Sequence, residues 1–352
     1  MRILALEQHL KKRFCLLTKS GSSAMYVLIK SLEIRDKKII VPANICFDII
    51  LTIIYSGNIP LVIDIDQNQC LSLRPLLKIK KTKNIGAIIY PYMYGNYGNI
   101  LPIKKFADNN GIYLIEDLAP SLGIRVPVQK RHKISDYSIC SFGTGKIIDL
   151  GFGGSINTNS EKVYLKAKKN YSALKTYSKK LEKKYLELNE ISSKIEMKQI
   201  NKTEFSKFKL KKYKDCLISK YNFKESFLKK LSKSVLKINL NINNRARKAK
   251  LFRKYLKNKN IKFIKHKKGA VYWRQNAIVF KNRDKLLNHL VSNGVYARKY
   301  FPSLSELFPF IKKDNLLNAN NYGNKIINFW VGQKTSKQEI LRINKLIKNF
   351  YK

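Results

Sequence analysis

The chain has 352 residues, with 71 Lys+Arg against 23 Asp+Glu and a formal net charge of +48, long enough for one large α/β domain with an appendage or for two domains. Its five widely spaced cysteines form no C-x-x-C and its four histidines no H-E-x-x-H, which excludes a small disulfide-stapled scaffold and argues against a structural zinc site. The charge alone would suggest a nucleic-acid or anionic-membrane partner. Lysine, however, is spread through the whole chain together with isoleucine and asparagine, as AT-rich coding would produce, so nucleic-acid binding is not expected.

In chain order, the opening "MRILALEQHLKKRF" lacks the apolar core and small-residue cleavage site of a signal peptide. No apolar run approaches the roughly 18 to 20 residues of a membrane-spanning helix, and a soluble cytoplasmic protein is expected. Ser20, Gly21, Ser22 and Ser23 then lead into an apolar-periodic helix, whose N-terminal amides and hydroxyls could bind an anion or act as a plain cap. The runs "KKIIVPANI", "IPLVIDID", "IGAIIYPYMYG", "IYLIEDLAP", "DYSICSFG" and "GGSINTN" alternate with helical stretches, the pattern of βαβ units around a mostly parallel sheet. Their near-continuous apolar content is what strands buried on both faces require. Ligands of such folds gather at the carboxyl ends of the strands.

Residues from about 160 to 240 are lysine-rich and almost free of Gly and Pro, which predicts exposed helices in a solvated insertion. Beyond them, "NNRARKAKLFRKYLKN" reads as a helix and "GAVYWRQNAIVF" as a strand. "RDKLLNHLVSNG" reads as a helix ended by Gly294, and "SKQEILRINKLIKNF" as a helix begun by the N-cap Ser336. The expected division is a large domain over 1–240, with a helical insertion at about 160–220, and a small C-terminal α+β domain over 241–352.

One lysine stands apart, in "SFGTGKIIDLGFGG" at 141–154. A phosphate-gripping P-loop would need a glycine at Cys140 and a hydroxyl at Ile147, so that reading fails at two positions. The alternative is a lysine that bonds pyridoxal phosphate, which also requires a carboxylate for the pyridine nitrogen, donors for the phosphate and a face against the ring. Asp117, closing an apolar strand, is a candidate carboxylate, although the same position would suit a helix N-cap. The Ser20–Ser23 stretch and Ser141 are candidate phosphate donors.

In order and spacing these pieces resemble the DegT/StrS-type sugar aminotransferases, fold-type-I pyridoxal-phosphate enzymes. "SGSSAM" is similar to the family's S-G-T-x-A-L, and "IIVPANICF…GNIPLVIDID" to V-P-x-x-T-F…G-A-x-P-V-F-V-D-I-D. "IEDLAPSLG" is similar to I-E-D-A-A-Q-x-x-G, "CSFGTGKIIDLGFGGSI" to S-F-x-x-x-K-x-x…G-G-G, and "NFWVGQKTSKQEI" to the closing segment. The resemblance covers most of the chain except the lysine-rich insertion. It implies that Lys146 carries the cofactor, that Asp117 partners the ring nitrogen, and that Gly21, Ser22, Ser23 and Ser141 hold the phosphate. It also implies a homodimer in which "YNFK" at 221–224, resembling a Y-N-Y-R loop, brings Asn222 into the partner's site. Lys224 in place of arginine gives up a bidentate grip. Cys46 stands where the family places an aromatic over the ring, leaving the thiol or Phe47 to cover it, and Pro120 stands where it places a glutamine. Since Lys146 is present, the lysine-free dehydratase branch is disfavoured.

The resemblance further implies amino transfer, with L-glutamate as donor and a nucleotide-linked keto sugar as acceptor, in amino-sugar or surface-glycan biosynthesis. Arg245, Arg274 and Arg298 are candidates for the diphosphate, or simply surface charge. Two other readings stay open at this point: the same cofactor acting on a non-sugar keto substrate, and a non-catalytic basic protein that binds nucleic acid or an anionic surface through the lysine-rich segment.

Overall fold

The computed structural model describes residues 3–127, 134–196, 210–308, 310–332 and 335–352. Seven strands form the main sheet: β1 (Phe14–Thr18), β2 (Lys38–Pro42), β3 (Ile59–Ile63), β4 (Ile85–Pro91), β5 (Tyr113–Asp117), β6 (Tyr137–Ser141) and β7 (Gly154–Thr158). Their spatial order is β1-β7-β6-β5-β4-β2-β3, with β7 antiparallel to both neighbours and the other pairs parallel. The fold is α/β, as the alternation of apolar runs and helices predicts.

Side chains alternate across this sheet, and both faces are covered. Ile39, Val41, Ile89, Ile115 and Ile139 enter one core, while Ile40, Ile88, Leu114 and Cys140 enter the other. Burial on both sides is the physical reason that these strands read as unbroken apolar runs. Helices α1 (Leu4–Leu10), α2 (Gly21–Ser31), α3 (Phe47–Tyr55), α4 (Leu73–Leu77) and α5 (Ile100–Asn109) connect or precede the strands. Helix α2 is apolar nearly all round and buries nine of its eleven residues between the sheet and its neighbours, as such a helix must.

The lysine-rich stretch is helical and mostly exposed over 161–190, with one apolar face packed on the core. Helix α6 (Glu161–Ser172) buries Val163, Tyr164 and Ala167 against the core of α2, and α7 (Lys179–Glu196) contributes Leu188 and Ile191 to the same core. The apolar positions recur at helical spacing and override the charge between them. Part of the insertion, 197–209, lies outside the described residues. After α8 (Lys214–Leu217), α9 (Glu225–Leu236) and α10 (Ile238–Tyr255) lead to a second, antiparallel sheet.

That sheet has the order β10-β11-β9-β8, formed by β8 (Ile261–Phe263), β9 (Gln275–Val279), β10 (Ala297–Arg298) and β11 (Ile326–Phe329). With α10, α11 (Arg283–Ser292) and the later helix over Lys337–Phe350, it encloses a third core around Phe252, Leu286, Phe329 and Ile343. Ser336 caps that last helix, accepting a hydrogen bond from Glu339 N at 3.0 Å. The run "GAVYWRQNAIVF" joins the ladder only from Gln275. Before it, Val271 N donates to Gly95 O at 2.9 Å and Trp273 Nε1 to Gly145 O at 2.9 Å, which carries this segment to the main sheet's strand ends.

Candidate active site

The register of the main sheet brings the chemically informative residues to one edge. Pro91 lies opposite Asp117 and Asp117 opposite Ile139 in the parallel ladders, while Gly154 of the antiparallel β7 lies opposite both Ser141 and Thr18. The carboxyl ends of β1, β4, β5 and β6 therefore converge. There they border a cavity of about 790 Å³ lined by Gly21, Ser22, Cys46, Asp117, Ser141 and Lys146 among others, toward the upper end of the ~300–1,000 Å³ typical of small-molecule sites.

The lysine is held by its backbone and leaves its amine free. Lys146 N donates to Gly143 O at 3.2 Å, and Lys146 O accepts from Arg245 Nη2 at 3.0 Å. Gly145 has φ +85° and donates its N–H to Asp149 Oδ2 at 2.8 Å, so a residue with a side chain would be strained at that turn. Among the described residues Lys146 Nζ makes no hydrogen bond; it sits 5.8 Å from the centroid of the Trp273 ring.

Asp117 is buried and accepts a hydrogen bond from Ala119 N at 2.9 Å through Oδ1. Burial pushes its carboxyl above the ordinary range, against the pull of that N–H and of the Lys146 ammonium.

At the N-terminus of α2, Ser20 caps the helix by accepting from Ser23 N at 3.1 Å. A Cβ on Gly21 would stand 3.1 Å from Ser141 Cβ, and one on Gly154 only 2.5 Å from the Ser20 carbonyl. The helix terminus and Ser141 thus approach closely because glycine permits it, and their donors border the same cavity. Ser23 is not brought there: its hydroxyl donates to Ser219 O at 3.0 Å and accepts from Ser219 N at 3.2 Å. Asn222 is exposed and lies outside the lining, whereas its neighbour Tyr221 belongs to it. Cys46 and Pro120 line the cavity. Phe47 is outside the lining and stacks on Phe308, with ring centroids 5.3 Å apart, so of the two residues weighed for covering the ring only Cys46 borders the space.

Several lining residues escape sequence reasoning. Asp48, in the first turn of α3, is coupled to both Lys146 and Lys19, and burial raises its carboxyl's pKa. Lys19 is buried, donates to Cys216 O at 3.1 Å, and lies 4.1 Å and 4.5 Å from the ring centroids of Tyr177 and Tyr185. Desolvation lowers its pKa to about 8, opposed by Cys216, Asp48 and Glu182. Because the folded pKa lies below the ordinary 10.5, the unfolded chain holds this proton more tightly, so stability rises with pH between about 8 and 10.5 and the full cost, about 3 kcal/mol, is carried below that window. Lys19→Met is therefore expected to be more stable than the parent at pH 7, with the difference shrinking toward about pH 10 in denaturant titrations.

The three arginines singled out in the sequence meet around two rings. Arg245 and Arg274 place Cζ 5.5 Å and 4.7 Å from the Trp330 centroid, and Arg274 and Arg298 lie 5.2 Å and 4.9 Å from that of Tyr296. Arg245 spends its donors on Asn241 Oδ1, Trp273 O and Lys146 O. Arg274 keeps Nε and Nη1 buried and without a hydrogen bond among the described residues.

The geometry fits pyridoxal phosphate: a free amine, a buried carboxylate coupled to it, and a helix N-terminus with a facing serine border one cavity. Among the described residues no group of His, Cys, Asp and Glu could hold a metal, and no helix is long and apolar enough to cross a membrane.

Comparison with known proteins agrees with this arrangement. GDP-perosamine synthase of Vibrio cholerae is 28% identical over 155 residues, 44% of this chain and 42% of that protein. The dTDP-3-amino-3,4,6-trideoxy-alpha-D-glucose transaminase of Micromonospora megalomicea subsp. nigra is 26% identical over 149 residues, 42% of this chain and 40% of that protein. The chain thus spans less than half the length of these curated relatives in the matched stretch. In fold it is similar to the aminotransferase from Psychrobacter cryohalolentis, with a TM-score of 0.77 at 15% identity over 99% of this chain and 90% of the other. It is also similar to S. venezuelae DesV, with a TM-score of 0.74 at 15% identity over 99% and 87%. The sequence profile of one family matches residues 4–348, and with the cavity built where that family's motifs fall, the chain belongs to the DegT/DnrJ/EryC1/StrS aminotransferase family.

Proposed function

We propose that the protein is a pyridoxal-phosphate aminotransferase that moves an amino group from L-glutamate to a keto sugar carried on a nucleoside diphosphate. The observation that carries this reading is the convergence of Lys146, Asp117, Ser141 and the N-terminus of α2 on one cavity.

Pyridoxal phosphate supplies, when bound, the electron sink that draws charge from the donor's α-carbon. The chain's own residues have the remaining work. Lys146 Nζ, free of hydrogen bonds among the described residues, holds the cofactor and then carries a proton from the donor's α-carbon as a general base. Asp117 keeps a proton on the ring nitrogen; its burial makes that charge pairing strong. The backbone amides at Gly21 and Ser22, with the Ser141 hydroxyl, take the phosphate, as helix N-termini take anions. Trp273 and Phe301 line the cavity and exclude water from part of it. Arg274 and Arg298 suit the diphosphate, since Arg274 has donors to spare.

The working unit is a homodimer in which the exposed Asn222 meets a second subunit, and the large and small domains divide near residue 240, where α10 begins. None of the five cysteines is in a disulfide, which suits a reducing, cytoplasmic setting. The test is amino transfer from L-glutamate to a panel of GDP-, dTDP- and UDP-linked keto hexoses, with products identified by mass spectrometry. Conversion of at least one is expected; conversion of free 2-oxo acids alone would replace the sugar by another acceptor.

A further inference from the structure

The cavity is larger than one cofactor needs, and its remaining wall has a chemistry of its own. Helix α7 and the residues before it, all from the lysine-rich insertion, line it with Tyr177, Glu182, Tyr185 and Asn189, and α3 adds Asp48. Asp48 is half-buried where it borders the cavity, and its carboxylate accepts no hydrogen bond among the described residues. A carboxylate in that state is open to a group in the cavity that donates to it, and such charge-assisted bonds are the stronger kind. The nearby cation does not do so: Lys19 spends its bond on the Cys216 carbonyl and is flanked by the Tyr177 and Tyr185 rings. Lys179 also lines this wall, from the start of α7, but the carboxylates of Asp48 and Glu182 and the side-chain oxygens of Tyr185 and Asn189 outnumber it, and these acceptors suit a neutral donor such as a hydroxyl.

We infer that Asp48, with Glu182, Tyr185 and Asn189 from the insertion, forms a subsite that reads the hydroxyls of the sugar ring. This rests on the nucleotide-sugar reading above. Asp48 and Lys146 border the same cavity, so the hydroxyls that Asp48 meets belong to the ring whose carbon receives the amine. A substrate lacking a hydroxyl there leaves the carboxylate unpaired and is rejected, in the way that polar sites discriminate against analogues without the matching donor. The insertion is thereby a specificity element supplied by the same chain that supplies Lys146.

The test is calorimetric binding of GDP-mannose, dTDP-glucose and UDP-glucose, each against its nucleoside diphosphate, to the protein loaded with pyridoxal phosphate; none of these hexoses carries a ketone, so no turnover intervenes. The parent is expected to bind one nucleotide hexose at least about tenfold more tightly than the matching diphosphate. In Asp48→Asn that advantage falls by about tenfold, as loss of a hydrogen bond to a charged group implies, while diphosphate affinity stays within about twofold. Tyr185→Phe, which removes one hydroxyl and keeps the ring, is expected to lose part of the advantage and guards against misfolding of the Asp48 variant. An unchanged advantage in both variants, or an equal loss for sugar and diphosphate ligands, overturns the subsite. If the parent binds neither nucleotide hexoses nor their diphosphates, the nucleotide-sugar reading itself falls, and the subsite with it.

Discussion

Lys146→Ala is expected to lower amino transfer by at least about 10³-fold, the scale on which a positioned acid-base group acts in addition to its covalent role. The fold should survive the change. The interactions that hold this turn are made by backbone atoms, Lys146 N to Gly143 O and Arg245 Nη2 to Lys146 O, and alanine retains both. The side chain contributes an amine that makes no hydrogen bond among the described residues. Steady-state kinetics beside a thermal melt separates the two effects. A folded variant that keeps a tenth or more of the parent's turnover would remove Lys146 from the chemistry.

Asp117→Asn is expected to separate activity from stability. Asparagine has the same shape, and its side-chain oxygen can still accept from Ala119 N, as Asp117 does at 2.9 Å. It cannot keep a ring nitrogen protonated, so turnover should fall by roughly 10²–10³-fold, comparable to removing one preorganised electrostatic group. Stability should move the other way. Burial raises the folded pKa of Asp117, so the folded state binds this proton more tightly than the unfolded chain does. Its ionised form therefore costs stability, a cost absent at low pH and growing as pH rises above the unfolded value near 3.9. The cofactor-free Asp117→Asn chain should thus melt at or above the parent's temperature at pH 7. A variant with parental turnover, or one that melts well below the parent, would point to a structural carboxylate instead.

Much of the fold is legible in the sequence because burial on both faces leaves a plain mark. The strands from Lys38–Pro42 through Gly154–Thr158 coincide with apolar runs bounded by turn residues. Strand β1 does not announce itself: "FCLLT" is short and flanked by basic residues, and its identity comes from antiparallel pairing with β7, more than 130 residues away. The two-residue β10 is likewise defined only by its partner β11. For the insertion, charge density obscures the apolar spacing of Val163, Ala167, Leu188 and Ile191 that packs it on the core.

At the site, residues embedded in motifs were readable, while those recruited by packing were not. Lys146, Asp117, Gly21, Ser22 and Ser141 belong to short stretches whose order points to one chemistry, and they border one cavity. Lys19 is one basic residue among 71, and nothing near it in sequence shows that it will be buried against two tyrosines. Asp48 carries a clearer sign: it is the single charge in "FDIILTIIY", and a lone acid in an apolar helix must either cap, pair or face a cavity. Ser23 shows the converse, a motif serine whose hydroxyl the fold assigns to the backbone of Ser219.

The visible absorption spectrum of the purified protein, taken with pyridoxal phosphate and again after adding L-glutamate, bears on the proposed chemistry before any sugar is known. A band that requires Lys146 and fades on adding L-glutamate is the expected result, and it would establish the donor half of the transfer. A spectrum identical in the parent and in Lys146→Ala, or a Lys146-dependent band that no amino donor changes, would contradict it.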